Sequence, residues 1–85
     1  MQPSDIKLYA LSTCSHCRNC KEFLAQCGFE YDCVDVDRLE PGERRQVLEE
    51  IKNINPNLSF PTLVIGDKVV IGFKKEEIQE ILNSR

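Results

Sequence analysis

Two cysteines separated by two residues are the strongest chemical signal in the sequence. Cys14 and Cys17 are the first and last residues of the run Cys14-Ser15-His16-Cys17. A pair at this spacing can alternate between a dithiol and a disulfide that closes a small ring. The thiolate is the form of cysteine that attacks another sulfur. One cysteine therefore has to ionise easily, and the other has to reach the first and expel the substrate thiol.

The pair lies between a predicted strand and a predicted helix. The run from Ile6 to Leu11 alternates as a strand, and helical spacing extends from Ser15 to Cys27 before Gly28 ends it. Cys14 is thus expected at the N-terminal end of the helix, where unpaired N–H groups and the helix dipole favour an anion. Cys14 is predicted to attack, and Cys17, one turn further, to resolve the mixed disulfide.

Residues next to the pair are expected to tune and cap it. His16 is the only histidine in the chain, and its imidazolium would favour the Cys14 thiolate and make the disulfide more oxidising. The hydroxyl of Ser12 or Thr13 is expected to cap the helix start.

The rest of the chain supplies a sheet and two more helices. The second predicted strand loses its alternation between Cys33 and Val34, which indicates either burial of both faces or a bulge. The element order is β-α-β-α-β-β-α, an α/β fold with a four-stranded mixed β-sheet flanked by three helices. The remaining predicted elements are a strand over Phe29 to Val36, a helix that opens at Glu40-Pro41 and buries Val47, Leu48, Ile51 and Ile54, strands over Thr62 to Ile65 and Val69 to Ile71 around the turn Gly66-Asp67-Lys68, and a helix over Lys74 to Asn83.

Composition narrows the class of protein. The 85 residues are 41% hydrophobic and 29% charged, as expected for one globular domain over residues 1–85. The net charge of −3 argues against a nucleic-acid partner, and no apolar run is long enough to span a membrane. An odd count of five cysteines with no visible signal peptide favours a cytoplasmic location. We expect a monomer.

The Cys14–Cys17 motif, together with Ser59-Phe60-Pro61-Thr62 and Ile71-Gly72-Phe73, resembles the glutaredoxin family of the thioredoxin-like fold. The resemblance extends from about Ile6 to Leu82. It implies a thiol–disulfide oxidoreductase that reduces protein or low-molecular-weight disulfides, with Cys14 as nucleophile and Cys17 as resolving cysteine. It further implies that Pro61 is a cis-proline facing the disulfide and that the Phe60 backbone pairs with an extended substrate. The implied substrate-binding residues are Thr13, Phe60, Pro61, Gly72 and Phe73.

Two departures from the family pattern concern the reductant. Glutathione-using members usually carry a Lys or Arg where this chain has Leu11, and a Gly-Gly turn with an acidic residue where it has Gly72-Phe73-Lys74-Lys75. The Gly-Phe pair is more similar to the glutaredoxin-like hydrogen donors of ribonucleotide reductase. The expected reductant is therefore a flavin-dependent or ferredoxin-linked reductase, with glutathione as the other possibility and no tightly bound cofactor.

The other cysteines leave an alternative open. Cys20 extends the pattern to Cys-x-x-Cys-x-x-Cys, which is typical of part of an iron–sulfur or zinc ligand set. A continuous helix would spread these sulfurs over about 9 Å of its axis, so we assign no metal ligands. The alternative function is an iron–sulfur- or zinc-binding glutaredoxin-like module that uses Cys14 and neighbouring cysteines. Cys20 is instead either a buried small side chain or a third thiol that exchanges with Cys17. Cys27 and Cys33 are expected to be small apolar side chains that pack in the core. An inert structural domain is the remaining hypothesis.

Overall fold

The computed structural model describes residues 6–84 and contains a four-stranded sheet in the order β2-β1-β3-β4. Strands β1 and β2 are parallel, whereas β1 pairs antiparallel with β3 and β3 with β4. The predicted element order and the thioredoxin-like α/β fold are confirmed. The elements are β1 Ile6–Ala10, α1 Ser15–Gln26, β2 Asp32–Asp35, a 3-10 turn Val36–Arg38, α2 Pro41–Ile54, β3 Thr62–Ile65, β4 Lys68–Ile71 and α3 Lys75–Asn83.

Alternation in β1 divides the core between the two faces of the sheet. Ile6, Leu8 and Ala10 lie in a cluster with the apolar sides of α1 and α3, while Tyr9 packs with Ile51 of α2 on the opposite face. Successive strand residues point to opposite faces, so β1 contributes to both layers. The central strand thereby fixes α1, which carries the cysteine pair, against the sheet.

Strand β2 differs from its prediction. Its pairing with β1 runs without interruption from Asp32 to Asp35, so there is no bulge. It is an outer strand, and Asp32 and Cys33 are exposed, so its two faces are not both buried. As an outer strand, β2 has only β1 as a neighbour among the described strands, and all four of its residues keep some exposure.

Helix ends are set by local chemistry. Helix α1 ends at Gln26, one residue before the predicted end, and Gly28 follows with a φ of +80°, a conformation that glycine adopts without steric cost. Helix α2 begins with Pro41 in its first turn, as predicted. Its last apolar residue, Ile54, is 38% exposed, contrary to the predicted stripe, whereas Ile51 is buried. No helix within residues 6–84 is both long enough and apolar enough to cross a membrane.

Candidate active site

Cys14 is itself the N-cap of α1. Its backbone is extended, with φ −88° and ψ 122°, and its Sγ accepts a hydrogen bond from the Cys17 backbone N–H at 3.4 Å. The thiol sulfur thus takes the place that a serine or aspartate oxygen usually occupies at a helix start. The expectation of a Ser12 or Thr13 cap was wrong, since the sulfur of Cys14 occupies that position.

The two sulfurs of the pair have opposite acidities. Partial burial raises the pKa of Cys14, but hydrogen bonds from the Cys17 thiol and from the backbone N–H groups of Cys17 and His16 outweigh it, and the net pKa is lowered. Cys17 is 0% exposed, and burial raises its pKa to about 12 despite a hydrogen bond from the Leu11 N–H to its Sγ at 3.5 Å. The site therefore pairs a partly exposed thiol that ionises more easily than usual with a buried thiol that stays protonated.

Positive side chains are less concentrated around Cys14 than the sequence suggests. Lys21 pairs with Asp35 at 3.0 Å, on the side of α1 that faces β2. The side chain of His16 is exposed, and its backbone N–H, after that of Cys17, helps to lower the pKa of Cys14. Tuning by the His16 imidazolium stays a prediction.

A loop before β3 brings Pro61 and Gly72 together. The Phe60–Pro61 peptide bond is cis, as the family resemblance implied. The Pro61 carbonyl accepts a hydrogen bond from the Gly72 N–H at 2.8 Å. Phe60 is half-buried and contacts both core clusters. Two stretches predicted to bind substrate are therefore joined by one backbone hydrogen bond.

Asn55 holds this loop from the C-terminal end of α2. Its side-chain amide is fully buried and donates to the Ser59 carbonyl at 3.0 Å, to the Ser59 hydroxyl at 3.1 Å and to the Thr62 hydroxyl at 3.0 Å. These bonds fix both flanks of Phe60 and Pro61. The sequence analysis missed Asn55, although an asparagine at a helix end is a common signal of local side-chain to backbone bonding.

Phe73 lies against α1, where a shallow groove opens. Its ring meets the Phe23 ring edge-on with centroids 6.0 Å apart, and the Lys75 ammonium lies 5.6 Å from the Phe23 centroid. The groove has a volume of about 190 Å³ and is lined by Asn19, Glu22, Phe23, Gln26, Phe73 and Lys75. Thr13 is exposed.

The other three cysteines differ in burial. Cys20 is 0% exposed in the core, as expected for a small apolar side chain. The prediction that Cys27 and Cys33 are buried was wrong: Cys27 is the exposed C-cap of α1, and Cys33 lies on the outer strand. All five cysteines are free thiols. Within residues 6–84, no three His, Cys, Asp or Glu side chains are grouped so that they could hold a metal ion.

Comparison with known proteins agrees with this geometry. A strand–Cys-x-x-Cys–helix unit on a four-stranded mixed sheet defines a dithiol protein of the thioredoxin-like fold. The Glutaredoxin family model matches residues 6–70. The chain belongs to the glutaredoxin family, which confirms the resemblance read from the motifs.

Solved and curated relatives cover most of the chain. A glutaredoxin structure from Methanosarcina mazei Go1 is 42% identical, with a TM-score of 0.86, and the match covers 93% of this chain and 78% of that one. Methanoredoxin from Methanosarcina acetivorans is 36% identical, with a TM-score of 0.89 and coverage of 93% and 84%. An uncharacterized glutaredoxin-like 8.6 kDa protein in the rubredoxin operon of Clostridium pasteurianum is 29% identical over 91% of this chain and 96% of its own.

Proposed function

We propose that the protein is a thiol–disulfide oxidoreductase, an electron carrier that reduces disulfides of proteins or small molecules. The observation that carries the proposal is the contrast within the pair: Cys14 has a lowered pKa and a half-exposed sulfur, whereas Cys17 is buried with a pKa of about 12. Such a contrast assigns attack to Cys14 and resolution to Cys17.

The reaction proceeds in two exchanges. The Cys14 thiolate attacks one sulfur of the substrate disulfide, which forms a mixed disulfide and releases the first substrate thiolate. Cys17 then loses its proton and attacks the Cys14 sulfur, releasing the second thiolate and closing the Cys14–Cys17 disulfide. Two electrons pass to the substrate, and its two sulfurs are protonated.

The approach of substrate follows from what surrounds Cys14. We assign contacts with substrate to Thr13, to the Phe60–Pro61 loop and to Gly72 and Phe73. Supporting this assignment, the Gly72 N–H donates to the Pro61 carbonyl at 2.8 Å, so these two stretches lie side by side. Asn55 anchors the same unit to α2.

The reductant is a separate part of the proposal. We propose that a flavin-dependent or ferredoxin-linked reductase regenerates the dithiol better than glutathione does. Leu11 offers no charge for a glutathione carboxylate, and the exposed Lys75 places its ammonium 5.6 Å from the Phe23 ring centroid. Donation of electrons to ribonucleotide reductase is one target consistent with this reductant. We place the protein in the reducing cytoplasm, as a monomer without a tightly bound cofactor.

Turnover of a small disulfide tests the proposal. With a dithiol reductant and hydroxyethyl disulfide, we expect Cys14→Ser to abolish turnover, because the attacking sulfur is gone. Incubated with hydroxyethyl disulfide and no reductant, Cys17→Ser should accumulate a mixed disulfide on Cys14 that mass spectrometry detects. Cys27→Ser is the matched control and should turn over at the wild-type rate. Full turnover by Cys14→Ser would overturn the proposal.

Parallel reductions of the oxidised protein test the reductant. Reduced glutathione and each type of reductase are offered in turn, and the rate of thiol appearance is measured. Turnover with a reductase at a rate well above that with glutathione is the expected result. The opposite order would refute the proposal about the reductant and leave the reaction of Cys14 unaffected.

A further inference from the structure

The outer strand β2 presents a row of reactive side chains to α1. Cys33 lies opposite Leu8 and Asp35 opposite Ala10 in the parallel pairing with β1. Leu8 and Ala10 lie in the core cluster that contains the buried side of α1. Because paired residues of neighbouring strands point to the same face, Cys33 and Asp35 face α1. Tyr31, two residues earlier, packs on the same cluster.

Helix α1 meets this row with Cys20 and Lys21. The Lys21 ammonium lies 3.0 Å from the Asp35 carboxylate, and the Cys33 Sγ lies 4.0 Å from the same oxygen. Burial raises the pKa of Cys20 to about 11, and repulsion from a Cys33 thiolate adds to that rise. Cys20 is buried in the same cluster as Leu8, the strand partner of Cys33, so both cysteines lie at the interface between α1 and the sheet.

We propose that Cys20 and Cys33 form a second oxidisable thiol pair, which closes a disulfide between α1 and β2. The exposed Cys33 reacts first: its thiolate attacks a low-molecular-weight disulfide, forms a mixed disulfide and releases one thiolate. Cys20 then loses its proton, attacks the Cys33 sulfur and releases the second thiolate. The two cysteines lose two electrons and two protons, and the small disulfide becomes two thiols.

The groups around Cys20 and Cys33 determine how fast the disulfide forms and how difficult it is to reduce. Although Cys33 is exposed, partial desolvation against α1 raises its pKa, while the Lys21 ammonium opposes the rise, so Cys33 reacts more slowly than Cys14. Thiols that ionise poorly form disulfides that are hard to reduce. A disulfide requires Cα atoms within about 7 Å. Strand β2 can approach α1 because, within the described chain, it pairs with β1 alone.

The test uses a variant that lacks both active-site sulfurs, Cys14→Ser/Cys17→Ala. Neither the expected result nor the contradicting result depends on the reaction of Cys14. Failure of this inference can therefore be distinguished from failure of the proposed function. The reduced variant is incubated with oxidised glutathione, and intact mass and peptide mapping follow the products. We expect a Cys20–Cys33 disulfide, a glutathione adduct on Cys27 and a higher thermal midpoint than that of the reduced form.

Control variants keep the result unambiguous. Adding Cys33→Ser should leave adducts on Cys27 alone, whereas adding Lys21→Gln should slow loss of the Cys33 thiol several-fold without changing the rate at Cys27. The single variant Cys14→Ser repeats the mapping in case the double variant does not fold. A lasting glutathione adduct on Cys33 beside a free Cys20 thiol, or a bond of Cys20 to any other cysteine, would overturn the proposal.

Discussion

Ser12 and Asp37 are joined by two hydrogen bonds although 25 residues separate them. The Asp37 carboxylate accepts one from the Ser12 backbone N–H at 2.9 Å and one from the Ser12 hydroxyl at 2.6 Å. Ser12 lies two residues before the nucleophile, and Asp37 lies in the 3-10 turn after β2. This contact joins the segment that leads into α1 to the end of the neighbouring strand. It therefore restricts the positions that the backbone just before Cys14 can adopt.

The same contact makes stability depend on pH. Hydrogen bonds from the Ser12 hydroxyl and N–H lower the pKa of Asp37 below its ordinary 3.8. A carboxyl group with a depressed folded-state pKa stabilises the protein above its unfolded-state pKa, and this contribution disappears as pH falls through the folded-state value. We therefore expect Asp37→Asn to lower the urea midpoint at pH 7 and to converge with wild type in strong acid. Asp67→Asn, on the β3–β4 turn, is the control. The difference between its urea midpoint and that of wild type should not depend on pH in this way. Equal midpoints for Asp37→Asn and wild type at pH 7 would contradict this expectation.

The thiol of Cys17 is expected to help ionise Cys14. Its hydrogen bond is, after burial, the largest influence on the pKa of Cys14, and it lowers that pKa. Cys17→Ala removes this donor but keeps the backbone N–H, so the pH midpoint for alkylation of Cys14 should shift upward. Iodoacetamide labelling between pH 4 and pH 9, followed by peptide mapping, measures it, with Cys27 as the reference thiol in the same molecule. An unchanged midpoint would show that the backbone N–H groups and the helix dipole suffice.

The hydrophobic periodicity of the sequence was sufficient to predict three buried core residues of α1. Cys17, Cys20 and Leu24 recur at helical spacing, and all three are buried as that spacing requires. The β-α-β-α-β-β-α order was predicted from the same kind of pattern, whereas the cis bond before Pro61 was implied by the resemblance to the glutaredoxin family.

Features that depend on distant residues were not predictable. The partner of Ser12 lies 25 residues away, and no spacing rule connects them. The exposure of Cys33 depends on β2 being an outer strand, which strand periodicity alone does not reveal. Capping preferences favour oxygen side chains at helix starts, so they pointed to Ser12 and Thr13 and away from the sulfur of Cys14.

The imidazole of His16 can be tested apart from its backbone. His16→Gln keeps the N–H that hydrogen-bonds Cys14 and removes only the titratable ring. If the imidazolium stabilises the thiolate as an exposed charge near a helix end does, by about 0.3–1 kcal/mol, alkylation of Cys14 at pH 5.5 should slow about two- to five-fold. Above pH 8, Cys14 of His16→Gln and Cys14 of the wild type should be alkylated at the same rate. Identical rates at pH 5.5 would assign the tuning to the backbone alone.

Asn55 is expected to support both the fold and the binding of substrate. Asn55→Ala removes the amide that reaches Ser59 and Thr62 and leaves the Thr62 hydroxyl with its bond to the Ser59 carbonyl at 2.8 Å. Loss of these buried bonds should cost about 1–3 kcal/mol of unfolding free energy. A loosened Phe60–Pro61 loop should raise KM for a protein disulfide more than it lowers kcat. Asn53→Ala, at an exposed position of α2, is the matched control and should change neither. A loss of stability with KM unchanged would limit Asn55 to a structural role, because a loop that merely folds less well would not alter substrate binding in the folded fraction.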